Sequence, residues 1–178
     1  MTEAHAATSD YVLNQTTLPI KDPEPSLRFY RDVLGMTLYQ KVDFLEMSFS
    51  LSFLGHPSNH KGNAIPSDPN ARCRFTFKQS ALSELTHNWC TETDPEFPGH
   101  HNGNEAPRGF SQIGVAVPNM AAACVRFESL GVTFVKKPDE GTMKDLAFIQ
   151  DPDGYWIEIL NADSITQLIQ GHGATCHE

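Results

Sequence analysis

A glutamate between two large apolar residues is the first feature of the chain that could do chemistry. Glu158 stands in the stretch Trp156-Ile157-Glu158-Ile159-Leu160, just after a Pro-Asp-Gly sequence that is typical of a hairpin turn. Strand alternation puts Trp156, Glu158 and Leu160 on one face. A carboxylate there is costly to desolvate unless a positive group meets it. The alternative is an edge strand with Glu158 in water, because single charges are mostly exposed.

Three further polar residues occupy matching places in two similar halves of the chain. Gln15 and Gln112 each open the first strand of a half, and Glu84 and Glu158 each lie in the last strand. If these side chains face one another, two amide oxygens and two carboxylates form a pocket in which the like charges repel. A divalent cation would relieve that repulsion, and oxygen ligands suit borderline to hard metals. The alternative is that both glutamines are ordinary residues at strand starts.

The halves are recognised by their helices. Asp22, followed by proline, and Asn119 are N-cap signals, and Gly35 and Gly131 stand where each helix should end. The Leu-Gly pairs at these ends are 96 residues apart, which predicts an internal repeat of strand, helix and several strands. Two unrelated segments with similar helix ends are the alternative, since Leu-Gly helix ends are common.

The elements expected from the pattern give five regions. These are an N-terminal arm (1–10), a first module (11–90), a linker loop (91–108), a second module (109–162) and a C-terminal tail (163–178). Strands are predicted at 11–20, 37–42, 47–54, 72–77, 82–88, 111–117, 132–135, 146–150 and 155–160, with a turn-rich loop at 56–70. The fold class is therefore predicted to be α+β.

Composition excludes several classes of partner. The net charge of −9 argues against nucleic acid and anionic membranes. The four cysteines show no CxxC spacing, so neither a zinc knuckle nor a redox pair is indicated. The chain has no apolar run long enough to span a membrane, and its start is unlike a signal peptide. A soluble, cytoplasmic protein is expected, with His87 as a structural residue on the strand face opposite Glu84.

Eight strings spread over most of the chain are specific to one family. They are 14–18 (NQTTL), 21–23 (KDP), 33–38 (VLGMTL), 84–89 (ELTHNW), 101–104 (HNGN), 107–110 (PRGF), 134–139 (FVKKPD) and 148–161 (FIQDPDGYWIEILN). Together they resemble glyoxalase I (lactoylglutathione lyase), a family of the vicinal-oxygen-chelate fold, from about residue 10 to residue 161. The resemblance implies paired βαβββ modules, a homodimer with sites between subunits, and a zinc or nickel ion held by a Gln, Glu, His, Glu set.

Three of the four metal ligands implied by the resemblance are retained. Gln15, Glu84 and Glu158 match the family's ligands, whereas its histidine falls on Gln112. A glutamine oxygen is a weaker and harder donor than imidazole. We therefore expect metal affinity to fall or metal selectivity to move away from zinc.

The resemblance also implies which residues contact a glutathione substrate. Asn88 matches a residue that holds the γ-glutamyl end, Arg108 and Lys136 match those that hold the glycyl carboxylate, and Met143 and Trp156 match other substrate-binding positions.

Two departures from the family concern the same substrate. An arginine for the γ-glutamyl end is replaced by Pro19, and a lysine in the loop over the site by Thr142. Loss of an arginine from a bidentate carboxylate site is not conservative, since a charge-assisted bond contributes roughly 1.5–3 kcal/mol. Glutathione conjugates are expected to bind poorly, or the substrate to differ.

The implied reaction converts the hemithioacetal of methylglyoxal and glutathione to S-lactoylglutathione. Glu158 would displace from the ion and take the proton from carbon 1. The ion would stabilise the resulting cis-enediolate as a Lewis acid, and the proton would return to carbon 2. Glu84 would serve the opposite stereoisomer or the return step. Two alternatives stay open: a related enzyme repurposed for a different small molecule, and a binding protein without turnover.

Overall fold

The computed structural model describes residues 8–60 and 64–171 and divides the chain into two compact units, Met1–Gly99 and His100–Glu178. The division falls inside the linker predicted at 91–108. Most of the predicted arm, and residues 172–178 of the predicted tail, lie outside the described residues.

The first unit is a four-stranded sheet with two short helices. The elements are β1 (Gln15–Ile20), α1 (Pro23–Arg28), β2 (Thr37–Phe44), β3 (Phe49–Gly55), α2 (Pro69–Thr76) and β4 (Leu82–Asn88). A wide, π-helical turn over Phe29–Val33 extends α1. The sheet order is β1-β4-β3-β2, with β1 parallel to β4 and the other pairs antiparallel.

The expected signals set both ends of the first helical segment. The Asp22 carboxylate accepts a hydrogen bond from the backbone N–H of Glu24 at 2.9 Å, which satisfies a donor at the start of α1. Gly35 follows the wide turn with a φ of 71°, a conformation that glycine adopts without steric cost. The segment then turns directly into β2.

Alternation along β1 and β4 gives the first sheet two distinct faces. Leu18, Ile20 and Leu85 are buried on one face, and Tyr30 from the wide turn is also fully buried. The other face carries the alternate residues, among them Gln15 and the residues around it. Burial of the apolar residues on the first face holds the strands in register, and so fixes the positions of Gln15 and its neighbours on the other face.

The second unit repeats the topology of the first. Its elements are β5 (Gln112–Ala116), α3 (Met120–Ser129), β6 (Phe134–Lys136), β7 (Ala147–Gln150), β8 (Trp156–Leu160) and α4 (Ala162–Gly171). The sheet order is β5-β8-β7-β6, again with the first and last strands of the unit parallel. The predicted α+β fold class is confirmed.

Two sequence expectations need correction or addition. The strand predicted at 72–77 is wrong, because α2 covers Pro69–Thr76 and the Asp68 carboxylate accepts from the N–H of Ala71 at 2.8 Å as its N-cap. The predicted tail contains a helix, α4, whose preceding residue Asn161 accepts from the N–H groups of Asp163 and Ser164 at 3.1 Å each. Within the described ranges, no helix is both long and apolar enough to cross a membrane.

Candidate active site

The first unit brings Gln15 and Glu84 together on one face of its sheet. In the parallel β1–β4 pair, Gln15 lies opposite Leu82 and Thr17 opposite Glu84. Because strand residues two apart share a face, Gln15, Thr17 and Glu84 are neighbours on that face. Gln15 Nε2 donates a hydrogen bond to Glu84 Oε2.

Two hydroxyl groups also contact the Glu84 carboxylate. Thr17 Oγ1 donates to Oε2 at 3.3 Å, and Thr86 Oγ1 donates to Oε1 at 3.4 Å. These separations are longer than the usual O–H···O range of about 2.5–3.0 Å. The two hydroxyls therefore orient the carboxylate more than they neutralise its charge.

Aromatic packing accounts for the burial of Glu84, whose exposed fraction is 6%. Phe53 pairs with Glu84 across the β3–β4 ladder, and Leu82 precedes it by two residues on the same face. Phe53 and Leu82 form a small core with Tyr39, against which Phe75 of α2 packs. A carboxylate in such a place needs hydrogen-bond donors or a cation.

The second unit brings Gln112 and Glu158 together in the same register. Gln112 lies opposite Trp156, and Gly114 lies opposite Glu158 in the parallel β5–β8 pair. Gln112 Nε2 donates to Glu158 Oε2 at 3.1 Å. Phe148 is the cross-strand neighbour of Glu158, and its ring lies 5.8 Å from that of Trp156. Glu158 is half-buried beside these two rings.

The predicted Pro-Asp-Gly turn, together with Asp151 before it, sets the start of β8. Asp151 is buried, and its Oδ1 accepts from the backbone N–H groups of Asp153 at 3.0 Å and Tyr155 at 2.9 Å. Gly154 takes a φ of 85°, which favours glycine. The turn thereby sets the register that puts Glu158 beside Gln112.

Each pair suits a divalent cation by donor chemistry. A rotation of the glutamine amide exchanges Nε2 for Oε1, which would place two oxygens 3.1 Å apart at Gln112 and Glu158. Two oxygens at that separation can bind one ion at metal–oxygen distances of about 2.0–2.2 Å. No cluster of three or more His, Cys, Asp and Glu side chains with a metal-binding arrangement occurs in residues 8–60 and 64–171.

Asn88 and Trp156, both predicted to bind substrate, share the faces of the two glutamates. Asn88 ends β4 on the Glu84 face and is exposed, and Trp156 is half-buried two residues before Glu158. Pro19 lies opposite Thr86 on the same face as Glu84. It is tolerated there because β1 is at the edge of its four-stranded sheet.

Lys136 is engaged by its own loop. Its Nζ donates to the backbone oxygens of Met143 at 2.8 Å, Leu146 at 2.6 Å and Lys137 at 3.3 Å. Burial, followed by the nearby Lys144, lowers the pKa of Lys136. The ammonium therefore holds the segment between β6 and β7, a contact that the sequence did not reveal.

Arg108 and the Met143 side chain are exposed, Arg108 in the loop before β5 and Met143 in the segment that Lys136 holds. His87 is buried on the face opposite Glu84, and its Nε2 lies 2.8 Å from Glu92 Oε2. This pairing is consistent with the structural role expected for His87.

Sequence reasoning missed the immediate neighbours of the two glutamates. Thr17 and Gly114 lie beside them on the first strands, and Phe53 and Phe148 beside them on the third strands. Strand alternation could have identified Thr17 and Gly114, because each lies two residues after a predicted ligand. The cross-strand neighbours depend on pairing register, which alternation alone does not supply.

The chain belongs to the Glyoxalase/Bleomycin resistance protein/Dioxygenase superfamily, whose family model matches residues 12–159. The resemblance inferred from the sequence is therefore confirmed at the level of the superfamily, and the two repeated sheets agree with it.

Two curated relatives show which members of this superfamily the chain is similar to. The chain is 51% identical over 169 residues to lactoylglutathione lyase of Pseudomonas aeruginosa, covering 95% of this chain and 93% of that protein. It is 48% identical over 160 residues to lactoylglutathione lyase of Pseudomonas putida, covering 89% of each. The prediction of an enzyme resembling lactoylglutathione lyases is confirmed by these relatives.

A solved structure supports the fold. Glyoxalase I of Leishmania major superimposes with a TM-score of 0.62 at 23% identity, over 92% of this chain and 98% of that one.

Proposed function

We propose that the chain converts the hemithioacetal of methylglyoxal and glutathione to S-lactoylglutathione. The observation that carries the proposal is the repeated Gln–Glu pair. Gln15 with Glu84, and Gln112 with Glu158, occupy the same register on two sheets of the same topology. Relatives named lactoylglutathione lyase support this choice of reaction.

A divalent metal ion, zinc or nickel, would be held by Gln15, Glu84, Gln112 and Glu158. The ion would supply Lewis-acid stabilisation of negative charge on the substrate oxygens. All four donors are oxygens, so the set favours a harder ion than one that includes imidazole. We further propose that the two pairs converge in one site between the subunits of a homodimer. We also propose that the protein is cytoplasmic.

Glu158 is the proposed base. It takes the proton from carbon 1 of the hemithioacetal, leaving an electron pair that becomes the carbon–carbon double bond of an enediolate. That proton then returns to carbon 2, and the hydroxyl proton on the carbon 1 oxygen passes to the carbon 2 oxygen, so that the carbon 1 oxygen becomes the thioester carbonyl. The half-buried setting beside Phe148 and Trp156 excludes part of the water that would otherwise compete for the carboxylate. Glu84 serves the opposite stereoisomer or the return step.

Substrate recognition is proposed to use the two site-bearing faces and the loops next to them. Asn88 would meet the γ-glutamyl end, and Arg108 the glycyl carboxylate. Trp156 and Met143 supply apolar surface for the rest of the conjugate. Lys136 can join Arg108 only by giving up hydrogen bonds to its own loop.

A second candidate is an enzyme of the same fold that acts on a small molecule other than a glutathione conjugate. Two observations favour it. Pro19 offers no charge to a γ-glutamyl carboxylate on the Glu84 face, and the Lys136 ammonium donates to backbone carbonyls. A binding protein without turnover is the remaining alternative.

The test is an assay of thioester formation from methylglyoxal and glutathione, with the protein loaded in turn with zinc, nickel, cobalt or manganese. We expect turnover with at least one ion, highest with the harder ones. Glu158→Gln should abolish turnover, and Gln112→His should raise zinc affinity. Absence of turnover with every ion, in a protein that binds them, would refute the proposed reaction.

Two variants locate a defect if turnover is absent. Recovery in Gln112→His would trace it to the metal site, and recovery only after Pro19→Arg would trace it to the substrate pocket. A protein that takes up no metal on titration would favour the binding-protein alternative.

A further inference from the structure

The two Gln–Glu pairs differ in the residues that flank each glutamate. Thr17 is the lateral neighbour of Glu84, and Gly114 occupies the equivalent position beside Glu158. Two residues beyond each glutamate, Thr86 in the first unit corresponds to Leu160 in the second. Since the registers are the same, the difference lies in side-chain chemistry.

These differences between the two units change the number of hydrogen bonds that hold each carboxylate. Glu84 accepts from Gln15 Nε2 and from the hydroxyls of Thr17 and Thr86, at 3.3 and 3.4 Å. Glu158 accepts from Gln112 Nε2 at 3.1 Å, and neither Gly114 nor Leu160 has a side-chain donor.

The backbone does not require a glycine at 114. Gly114 is not among the residues with positive φ, and a Cβ there would meet Leu160 Cδ2 at 3.9 Å, an ordinary van der Waals contact. Glycine inside a strand is less favourable than alanine, because it loses more conformational freedom on folding. Neither backbone strain nor packing within the second unit therefore accounts for a glycine at position 114.

We propose that Thr17 and Thr86 are positioning residues that hold Glu84 in one ligand orientation, and that Gly114 keeps Glu158 free of such a restraint. This assignment of different roles to Glu84 and Glu158 rests on the proposed function. The base that takes the proton from carbon 1 must leave its resting position to do so, whereas the glutamate that remains a metal ligand during that step should stay in place. The flanking residues assign these two roles to glutamates that occupy equivalent positions.

Matched variants isolate the hydroxyl groups. Thr17→Val removes the hydroxyl at nearly constant volume, and Thr17→Ser keeps it. Gly114→Ala adds only Cβ, and Gly114→Ser adds Cβ with a hydroxyl, so the last two differ by one oxygen atom.

The first measurement is metal affinity, obtained by titrating metal-stripped protein with zinc or nickel in competition with a chelator. We expect Thr17→Val to bind about ten-fold more weakly, as is typical for loss of a partner that orients a ligand, and Thr17→Ser to restore affinity. Gly114→Ser should bind several-fold more tightly than Gly114→Ala, because its hydroxyl holds Glu158 as a ligand.

The second measurement is the split between kcat and KM in the hemithioacetal assay. Gly114→Ser should lower kcat about ten-fold relative to Gly114→Ala with little change in KM, since a hydrogen bond to a charged group is of that size. Equal kcat values in the two variants would overturn the role of Gly114. Wild-type metal affinity in Thr17→Val would overturn the role of Thr17.

The two measurements separate this inference from the proposed reaction. If wild-type protein shows no turnover, the reaction is refuted, and the affinity differences at Thr17 and Gly114 still decide whether the hydroxyls restrain the glutamates.

Discussion

Replacing Lys136 by methionine should loosen the segment between β6 and β7 without unfolding the second unit. Lys136 Nζ donates to the backbone oxygens of Met143 at 2.8 Å and Leu146 at 2.6 Å. Hydrogen bonds to charged groups contribute roughly 1.5–3 kcal/mol each, and solvent screening at the half-buried Lys136 reduces each of these two to about 1 kcal/mol. Losing both should lower the free energy of local opening by about 2 kcal/mol, or about 30-fold in the opening constant.

Amide hydrogen exchange measures that opening directly. Within the segment, the N–H of Glu140 donates to Lys137 O at 3.1 Å and that of Asp145 to Pro138 O at 2.9 Å. Both should exchange about 30-fold faster in Lys136→Met. The N–H of Gln150, which donates to Thr133 O at 2.9 Å, should keep its protection because it lies outside the segment.

Lys137→Met is the matched control. The Lys137 ammonium lies 2.5 Å from Glu128 Oε1 in an exposed ion pair, which should contribute little. Its removal should leave the exchange of the Asp145 amide unchanged. If that amide exchanges at the wild-type rate in Lys136→Met as well, then Lys136 does not hold the segment and is free to bind substrate.

Two further predictions concern the turn before β8. Asp151→Ala should destabilise the protein by about 2–3 kcal/mol in urea unfolding, because the buried N–H of Tyr155 loses its acceptor, while Asp151→Asn should retain most of the stability. A loss below about 0.5 kcal/mol in Asp151→Ala would contradict this, since that is the range of ordinary surface changes. Burial, with smaller contributions from Asp153 and Asp151, raises the pKa of Tyr155 to about 12. The Tyr155 phenol of the unfolded chain ionises near pH 10, so above that pH the folded state keeps a proton that the unfolded state loses. The free energy of unfolding should therefore fall between about pH 10 and 12, by at most about 3 kcal/mol. Tyr155→Phe should show a correspondingly smaller fall, and an identical pH profile in the two proteins would refute the assignment.

The helix boundaries show where local sequence was sufficient. Asp22 and Asn119 cap helices through their own side chains, and Gly35 and Gly131 adopt the positive φ that ends each helical segment. These signals act over three or four residues, so they can be identified without knowledge of the fold.

The helix α2 shows how one local signal can hide another. Asp68 followed by Pro69 is the same kind of start signal as at α1, but the alternation Arg72-Cys73-Arg74-Phe75 suggested a strand. Phe75 of α2 packs against the ring of Tyr39 in the buried cluster, and this tertiary contact favours the helix. Periodicity over four residues does not separate the two structures.

The candidate site was predictable in its identities but not in its contacts. The repeat identified Gln15, Glu84, Gln112 and Glu158, because each occupies an equivalent position in the two halves. The threonine hydroxyls around Glu84 and the carbonyls around Lys136 depend on pairing register and on the path of a loop. Neither is encoded in the spacing of residue types.

The order of the strands also dictates when the site can exist. The glutamine and glutamate of each pair come from the first and last strands of their unit, 69 residues apart in the first unit and 46 in the second. Neither pair exists until the last strand docks beside the first, and closing so long a segment has a large entropic cost. A chain still emerging from the ribosome exposes Gln15 well before Glu84 has been synthesised. An ion that needs both side chains therefore binds the completed sheet and not the nascent chain.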